Sequence, residues 1–406
     1  MSLRKQGTDY RSWSYLRATQ DYHAFDLAPE LGRVPGHPVP LSPEQESRVE
    51  RLLRDGVLIS LHEHATTVPA EVRLTPEYTR EGRMATAFEG LAASHWDAVF
   101  DGMMDGILNI HSRHGWKWTE VLHDLGMRLC DIAHQDVVFH ATTVADIHRA
   151  HAEERVAWIG HLEGAAMIEN ELDRIEILYG LGIRCLGIAY SEGNQLGAGL
   201  KEPRDGGLTV FGRKAVARMN DVGMLIDCSH CGDQTTLDTI ATSRLPIALT
   251  HIGARALANS NRMAPDEVLT ACADKGGVIG VEAAPHTTVS PAHPAHSLDS
   301  VMDHFEYIKT LCGIDHVTFG PDTIYGDHVG LHDVYRQALS IGESRATKGG
   351  DTQDATPRVA YVAGLENPTE GSSNIVRWLV RAGYPDADIT KVMGGNTLRV
   401  LKEVWQ

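Results

Sequence analysis

From residue 56 onward, short apolar runs alternate with longer amphipathic stretches, and this alternation restricts the fold more than any other feature. The clear runs are 56–61, Val156–Leu162, 183–189, 224–226 leading to Cys228, 247–250, Val278–Val281 and Val317–Phe319. Each is bounded by Gly or Pro, as expected of strands buried on both faces. An eighth strand is expected in the weakly patterned segment 96–104. Helical patterns lie between them. One spans 143–154, with Thr143 and Asp146 in capping-box spacing, and another spans 211–221, stopped by Gly223. Strict alternation with eight strands predicts an α/β protein of the closed (β/α)8 TIM-barrel type in preference to a doubly wound sheet.

Residues 1–55 differ in character, rich in Pro and charge, and close on one well-signalled helix. Ser42 can cap it, Pro43 fits its first position, Gln45 completes a capping box and Gly56 stops it. We expect an N-terminal extension over 1–55, packing on the barrel or between subunits, and a barrel over 56–406. The polar stretch 325–371 reads as a long loop insertion near the barrel mouth. Residues 372–406 return to helix, with Gly394-Gly395 punctuating the last two.

Nucleotide binding finds little support. Gly180, Gly182 and Gly187 lack dinucleotide-binding spacing, and no phosphate-loop Lys motif occurs. Asp and Glu exceed Lys and Arg, 54 to 37, for a net charge of -17 spread along the chain. Nucleic acid and anionic membrane are therefore not expected as partners. No apolar run reaches the ~18 residues of a membrane span, and no export signal is visible. Six cysteines form neither a dense disulfide pattern nor a four-cysteine zinc pattern, so a reducing cytoplasm is the expected location. Cys228 and Cys231 form a lone C-x-x-C, which we read as small buried residues.

The 22 histidines are the unusual part of the composition. In a barrel, side chains at the carboxyl ends of strands converge on one mouth, so ligands should stand where each apolar run stops. The first run ends in His62-Glu63-His64, and strand alternation points His62 and His64 the same way. The second ends in a segment containing Glu163. The run at Leu225 leads to His230, the next to His251, and the last to Asp322. Taken singly, each is as well explained as a rim residue. Together, four imidazoles and two carboxylates supply ligands for two divalent ions, with zinc favoured by the nitrogen-rich set. Two such ions can activate a bridging hydroxide and polarise a carbonyl, the requirement of hydrolysis, with Asp322 moving the proton.

Stretches such as Ala141-Thr142-Thr143, Leu162-Glu163-Gly164, Gly207-Leu208-Thr209, Ser229-His230, Thr250-His251, Gly313-Ile314-Asp315-His316 and Gly394-Gly395-Asn396 carry a further signal. In this order and spacing the chain resembles the membrane (renal) dipeptidase family of the amidohydrolase superfamily. The resemblance implies a binuclear zinc centre in which His62 and His64 bind one ion, Glu163 bridges, and His230 and His251 bind the other. It also implies that Asp322 transfers the proton, that Arg262 receives a substrate carboxylate, and that the chain forms a homo-oligomer. Arginine suits that role because its planar fork pairs a carboxylate bidentately.

Three positions depart from the family pattern. His64 replaces an aspartate, Tyr190 stands where a carbonyl-polarising histidine is usual, and Gly320-Pro321-Asp322-Thr323-Ile324-Tyr325-Gly326 replaces the usual last-strand motif. A tyrosine hydroxyl can still bind substrate by donating one hydrogen bond to an oxyanion. The expected activity is a cytoplasmic, zinc-dependent hydrolysis of the amide bond in a dipeptide or dipeptide-like small molecule. Hydrolysis of a non-peptide amide, ester or lactone is the alternative, and a non-catalytic metal-binding barrel is a third reading.

Overall fold

In this computed structural model the described residues are 5, 7–103, 117–338 and 357–405. They contain strands β1 (Ile59–Thr67), β2 (Ala85–Thr86), β3 (Ala98–Met103), β4 (Val138–His140), β5 (Val156–Leu162), β6 (Ile183–Gly187), β7 (Leu225–Asp227), β8 (Ala248–Ile252), β9 (Val278–Val281), β10 (Val317–Phe319) and β11 (Ile324–Tyr325). Eight of them, β1, β3 and β5 to β10, lie side by side in chain order and run parallel. Helices cross between them, as parallel pairing requires.

The curl of this sheet brings β10 round beside β1. The seam is closed by the segment that follows β10. Gly320 N–H donates to the Val281 carbonyl at 3.2 Å, Asp322 N–H to the His62 carbonyl at 3.1 Å, and His64 N–H to the Thr323 carbonyl at 2.9 Å. The fold is the (β/α)8 barrel expected from the alternation. Segment 96–104 supplies a strand, β3, as expected, while the three-residue β4 has no counterpart in the pattern.

β1 runs further than its apolar run. Its last residues pair with β2 (Thr66 with Thr86) and with β11 (His64 with Ile324), so His62 and His64 lie inside the strand and not at its end. These two short strands satisfy main-chain groups that would otherwise end the ladder at the rim.

The helices obey their sequence signals. Pro43–Asp55 starts with a Ser42–Gln45 capping box and ends with Gly56 N–H on the Leu52 carbonyl. Val144–Glu153 has the Thr143–Asp146 box, and Val210–Val222 ends at Gly223 in the left-handed region, φ 78°. One apolar cluster joins Ile59, Leu61, Phe100, Ile159, Leu225 and Val278 to Leu401 and Trp405 near the C-terminus. A larger one joins the strands to the surrounding helices.

The extension is tied to the barrel at both ends. The Asp131 carboxylate accepts from Tyr10 Oη at 2.7 Å, Ser12 Oγ at 2.5 Å and Trp13 N–H at 3.2 Å. Further on, helix Pro43–Asp55 packs on helix Pro368–Arg381, where Arg377 grips Glu46 and donates to the Val39 carbonyl at 2.9 Å. The segment read as a loop, 325–371, holds the end of β11, helix His328–Ala338 and the start of helix Pro368–Arg381. Buried Val329 and Leu331 explain why its first part folds. Residues 339–356 lie outside the described set. No helix among the described residues is long and apolar enough to cross a membrane, and all six cysteines are free.

Candidate metal centre

β1 presents His62 and His64 with ring centroids 4.9 Å apart and planes at right angles. From across the barrel, β5 ends just before Glu163, β8 carries His251, and the turn after β7 carries His230. All of these side chains are buried. His64 Nε2 lies 2.9 Å and His62 Nε2 3.4 Å from Asp322 Oδ1. His62 Nε2 is 3.9 Å from Glu163 Oε1, while Glu163 Oε2 is 3.2 Å from His230 Nε2 and 3.5 Å from His251 Nε2. The six groups expected from the sequence therefore meet in one place.

Two overlapping trios have ligand atoms within 4.8 Å of one another: His62, His64 and Asp322, and His62, Glu163 and His251. His230 and His251 point their Nε2 atoms at each other across 2.9 Å. His62 Nε2, fully buried, makes no hydrogen bond. Buried polar atoms are normally satisfied, so a lone pair turned into a nest of imidazoles and carboxylates fits a cation.

Electrostatics agree for three of the four imidazoles. Burial pulls His62 down to about 4 and holds His230 and His251 well below the usual histidine range, the nearby Arg262 adding to it. Neutral imidazole is the form that binds metal. Burial opposes the charge on Asp322, but contacts with His62 and His64 outweigh it and hold the carboxyl well below its ordinary range. His64 is the partner of that ion pair, and the Asp322 contact raises it to about 9 against the effect of burial. Asp322 itself adopts a left-handed backbone, φ 56°, a conformation uncommon outside Gly that short polar residues tolerate.

Three supporting residues escaped the sequence reading. His161 Nδ1 lies 3.3 Å from His62 Nδ1, and His161 Nε2 lies 3.3 Å from Asp227 Oδ2. Although buried, Asp227 is held ionised by His161 and Ser229. With the proton of His161 on Nε2, toward the ionised Asp227, His161 Nδ1 would accept from His62 and the His62 Nε2 lone pair would face the cluster. On the other side of β1, Glu63 accepts the Thr323 N–H at 3.0 Å and pins the turn that carries Asp322. Its burial pushes it up to about 8. Each of these residues lies within three positions of a ligand in sequence, which was the available signal.

Tyr190 stacks on His230, centroids 4.2 Å apart and planes at 28°. Arg262 donates to the carbonyls of Ser229 at 3.1 Å and His251 at 2.9 Å, and pairs with Glu282. Its fork thus holds the main chain of both ligand segments. Cys228 and Cys231 are buried, and the Cys231 thiol lies against the Ala189 carbonyl. A cavity of about 350 Å³ opens onto His64, walled by Trp13, Tyr22, Met103, Met127 and Arg128.

A parallel (β/α)8 barrel whose strands deliver four imidazoles and two carboxylates to one buried point defines the metal-dependent hydrolase class. Residues 46–345 match the membrane dipeptidase family (peptidase family M19), and the chain belongs to that family. The Aspergillus oryzae dipeptidase aclJ is 27% identical over 295 residues, 70% of this chain and 62% of that protein. This chain thus spans less than two thirds of that relative. Among solved structures, an amidohydrolase from Pseudomonas aeruginosa superposes with a TM-score of 0.71 at 23% identity, covering 88% of this chain and 99% of that one. A metallopeptidase from Rhodobacter sphaeroides, liganded with a phosphinate mimic of the dipeptide L-Ala-D-Ala, gives 0.61 at 19%, covering 86% and 100%.

Proposed function

We propose that the chain hydrolyses the amide bond of a dipeptide or dipeptide-like small molecule, using two divalent cations held by His62, His64, Glu163, His230 and His251. Four imidazoles favour zinc. Bound there, such cations acidify a water molecule and polarise the carbonyl under attack. The chain's own groups do the rest. Glu163, with one oxygen toward His62 and the other toward His230 and His251, would be shared between the two cations. Asp322 is placed to take a proton from water and hand it to the leaving amine. Tyr190, on the rim beside His230, supplies a phenol to donate to the carbonyl oxygen. Arg262 keeps the His230 and His251 segments in register.

The observation that carries this reading is the convergence of six buried ligand groups around the unsatisfied His62 Nε2. Membership of the dipeptidase family supports it, as does the dipeptide mimic held by the Rhodobacter sphaeroides metallopeptidase of the same fold. The test is turnover of an L,L and L,D dipeptide library by metal-analysed protein. We expect about two zinc per chain and a loss of roughly 10²- to 10⁴-fold in turnover for Asp322→Asn. Two bound zinc without dipeptide turnover would shift the substrate to a non-peptide amide, ester or lactone. Light scattering on the same sample tests the homo-oligomer that the family resemblance implies.

A further inference from the structure

The cavity that opens onto His64 is lined by charged side chains whose signs do not cancel. Asp21, Glu81 and Asp124 stand against Arg80, Arg83 and Arg128, and exposed His123 belongs to the same lining. The anions have partners or are partly discharged. Asp21 accepts from the Arg17 N–H at 2.8 Å and lies 3.4 Å from Arg17 Nε, which holds it below its ordinary range, with a smaller effect from Arg83. Glu81 stands 3.4 Å from His23 Nδ1. Burial pushes Asp124 up to about 7 against the effect of Arg128, so near neutral pH a good part of it carries no charge.

The cations are less evenly matched. Arg128 lies 3.6 Å from Asp101 and donates to Thr66 and Thr86. Exposed Arg80 gives its Nε to the Pro76 carbonyl at 2.9 Å. Half-buried Arg83 has no ion-pair partner among the described residues. Its guanidinium lies over the rings of Trp13 and Tyr22, 5.5 and 5.9 Å from their centroids, and its one hydrogen bond there runs from Nη1 to Met127 Sδ at 3.8 Å. A fork of five N–H donors with one weak acceptor is set for an anion. Cations bound beside His64 would add to the positive excess.

The rest of the wall suits what would carry that anion. Met84, Met103 and Met127 line the same cavity, and thioethers adapt to a flexible aliphatic chain. At about 350 Å³ the space is within the range of small-molecule pockets. A methyl side chain would leave most of it empty. A terminal carboxylate, bonded directly to Cα, has no stem to lay along the methionines.

We infer that this cavity receives the side chain of one substrate residue, and that this side chain is a carboxylate on an aliphatic stem, of the glutamate type, paired with Arg83. This rests on the hydrolase reading above and narrows its substrate class.

The experiment compares alanyl-glutamate with alanyl-glutamine, and glutamyl-alanine with glutaminyl-alanine, in both stereochemical series, on zinc-loaded wild type, Arg83→Met and Arg83→Lys. We expect the wild type to favour the glutamate member of one pair by about tenfold or more in kcat/KM, Arg83→Met to lose that preference, and Arg83→Lys, which keeps the charge, to retain part of it. The members of each pair differ in charge and hardly in shape, so a variant that merely loosened the Trp13 and Tyr22 contacts would lower both alike. A wild type that favours glutamate in neither pair, or a ratio unmoved by Arg83→Met, overturns the inference while leaving the hydrolase intact. Alanyl-alanine against its amide checks the other source of a carboxylate. If Arg83→Met shifts that ratio and not the glutamate ratio, Arg83 holds the terminal carboxyl and the side-chain assignment is overturned. If no compound is hydrolysed, the dipeptidase reading falls, and calorimetric binding of alanyl-glutamate and alanyl-glutamine decides the inference separately. Tighter binding of alanyl-glutamate that Arg83→Met weakens by about tenfold supports it, and equal binding of the two overturns it. Should Arg83→Met not fold, the wild-type ratios and Arg83→Lys decide.

Discussion

Replacing His161 by Ala removes the link between Asp227 and the Nδ1 of His62. Cation affinity should then fall by about 10- to 100-fold, the usual cost of losing an orienting partner, read by competition against a chromophoric chelator. Asp124 sets a different expectation. Burial pushes its carboxyl up to about 7, with Arg128 opposing. An unfolded Asp titrates near ~4, so the folded chain binds this proton more tightly, and the stability that goes with it is present at low pH and lost as pH rises through about 7. Asp124→Asn should therefore match the wild type near pH 4 and exceed it at pH 8 by on the order of 1 kcal/mol, discounted for its partial exposure, in urea melts at both pH values. The ligands were legible because each stands at or near the end of an apolar run, where a polar side chain demands an explanation. His161 and Glu282 were not, because their meaning lies in Asp227 and Arg262, partners that only the closed barrel brings near.

Strands β3 and β6 show what a barrel asks of small residues. A Cβ on Gly102 would lie 2.4 Å from His62 Cε1 and 3.0 Å from His64 Cε1, and one on Gly187 would lie 1.9 Å from the Glu163 carbonyl oxygen. Gly102→Ala should push both imidazoles out of place, lowering cation affinity by at least about tenfold, with an overpacking cost of roughly 1–3 kcal/mol seen in thermal melts. Chelator competition on the same variant separates the two effects. Among the eight barrel strands β3 was the hardest to see because it spends a position on Asp101, which accepts from Ala65 N–H at 2.9 Å and Trp158 Nε1 at 2.7 Å and so stitches β1 and β5 across it. A buried carboxylate with such partners looks, in sequence, like a loop residue. Helix signals were more dependable because caps are local. Ser42→Ala should cost about 1 kcal/mol, measured by denaturant unfolding.

For the whole molecule, cations that bind only the folded chain add to its stability by mass action. At a free concentration a hundredfold above the dissociation constant the gain is about 2.7 kcal/mol. Chelation should lower the Tm by several degrees and restoring zinc should recover it, followed by scanning calorimetry; an unchanged Tm would argue against a built cation site. The order of the barrel strands could be read from the alternation, whereas the seam could not, because it is made by main-chain bonds from residues 320–323 to β9 and β1. The three bonds that tether residues 10–13 to Asp131 have a consequence of another kind. They make Trp13 and Tyr22 part of the wall around the opening above His64. The shape of that opening is thus written partly in a stretch of chain that contributes no strand to the barrel. Changes in the extension would therefore reshape the space in front of His64 without touching the strands that carry the ligands.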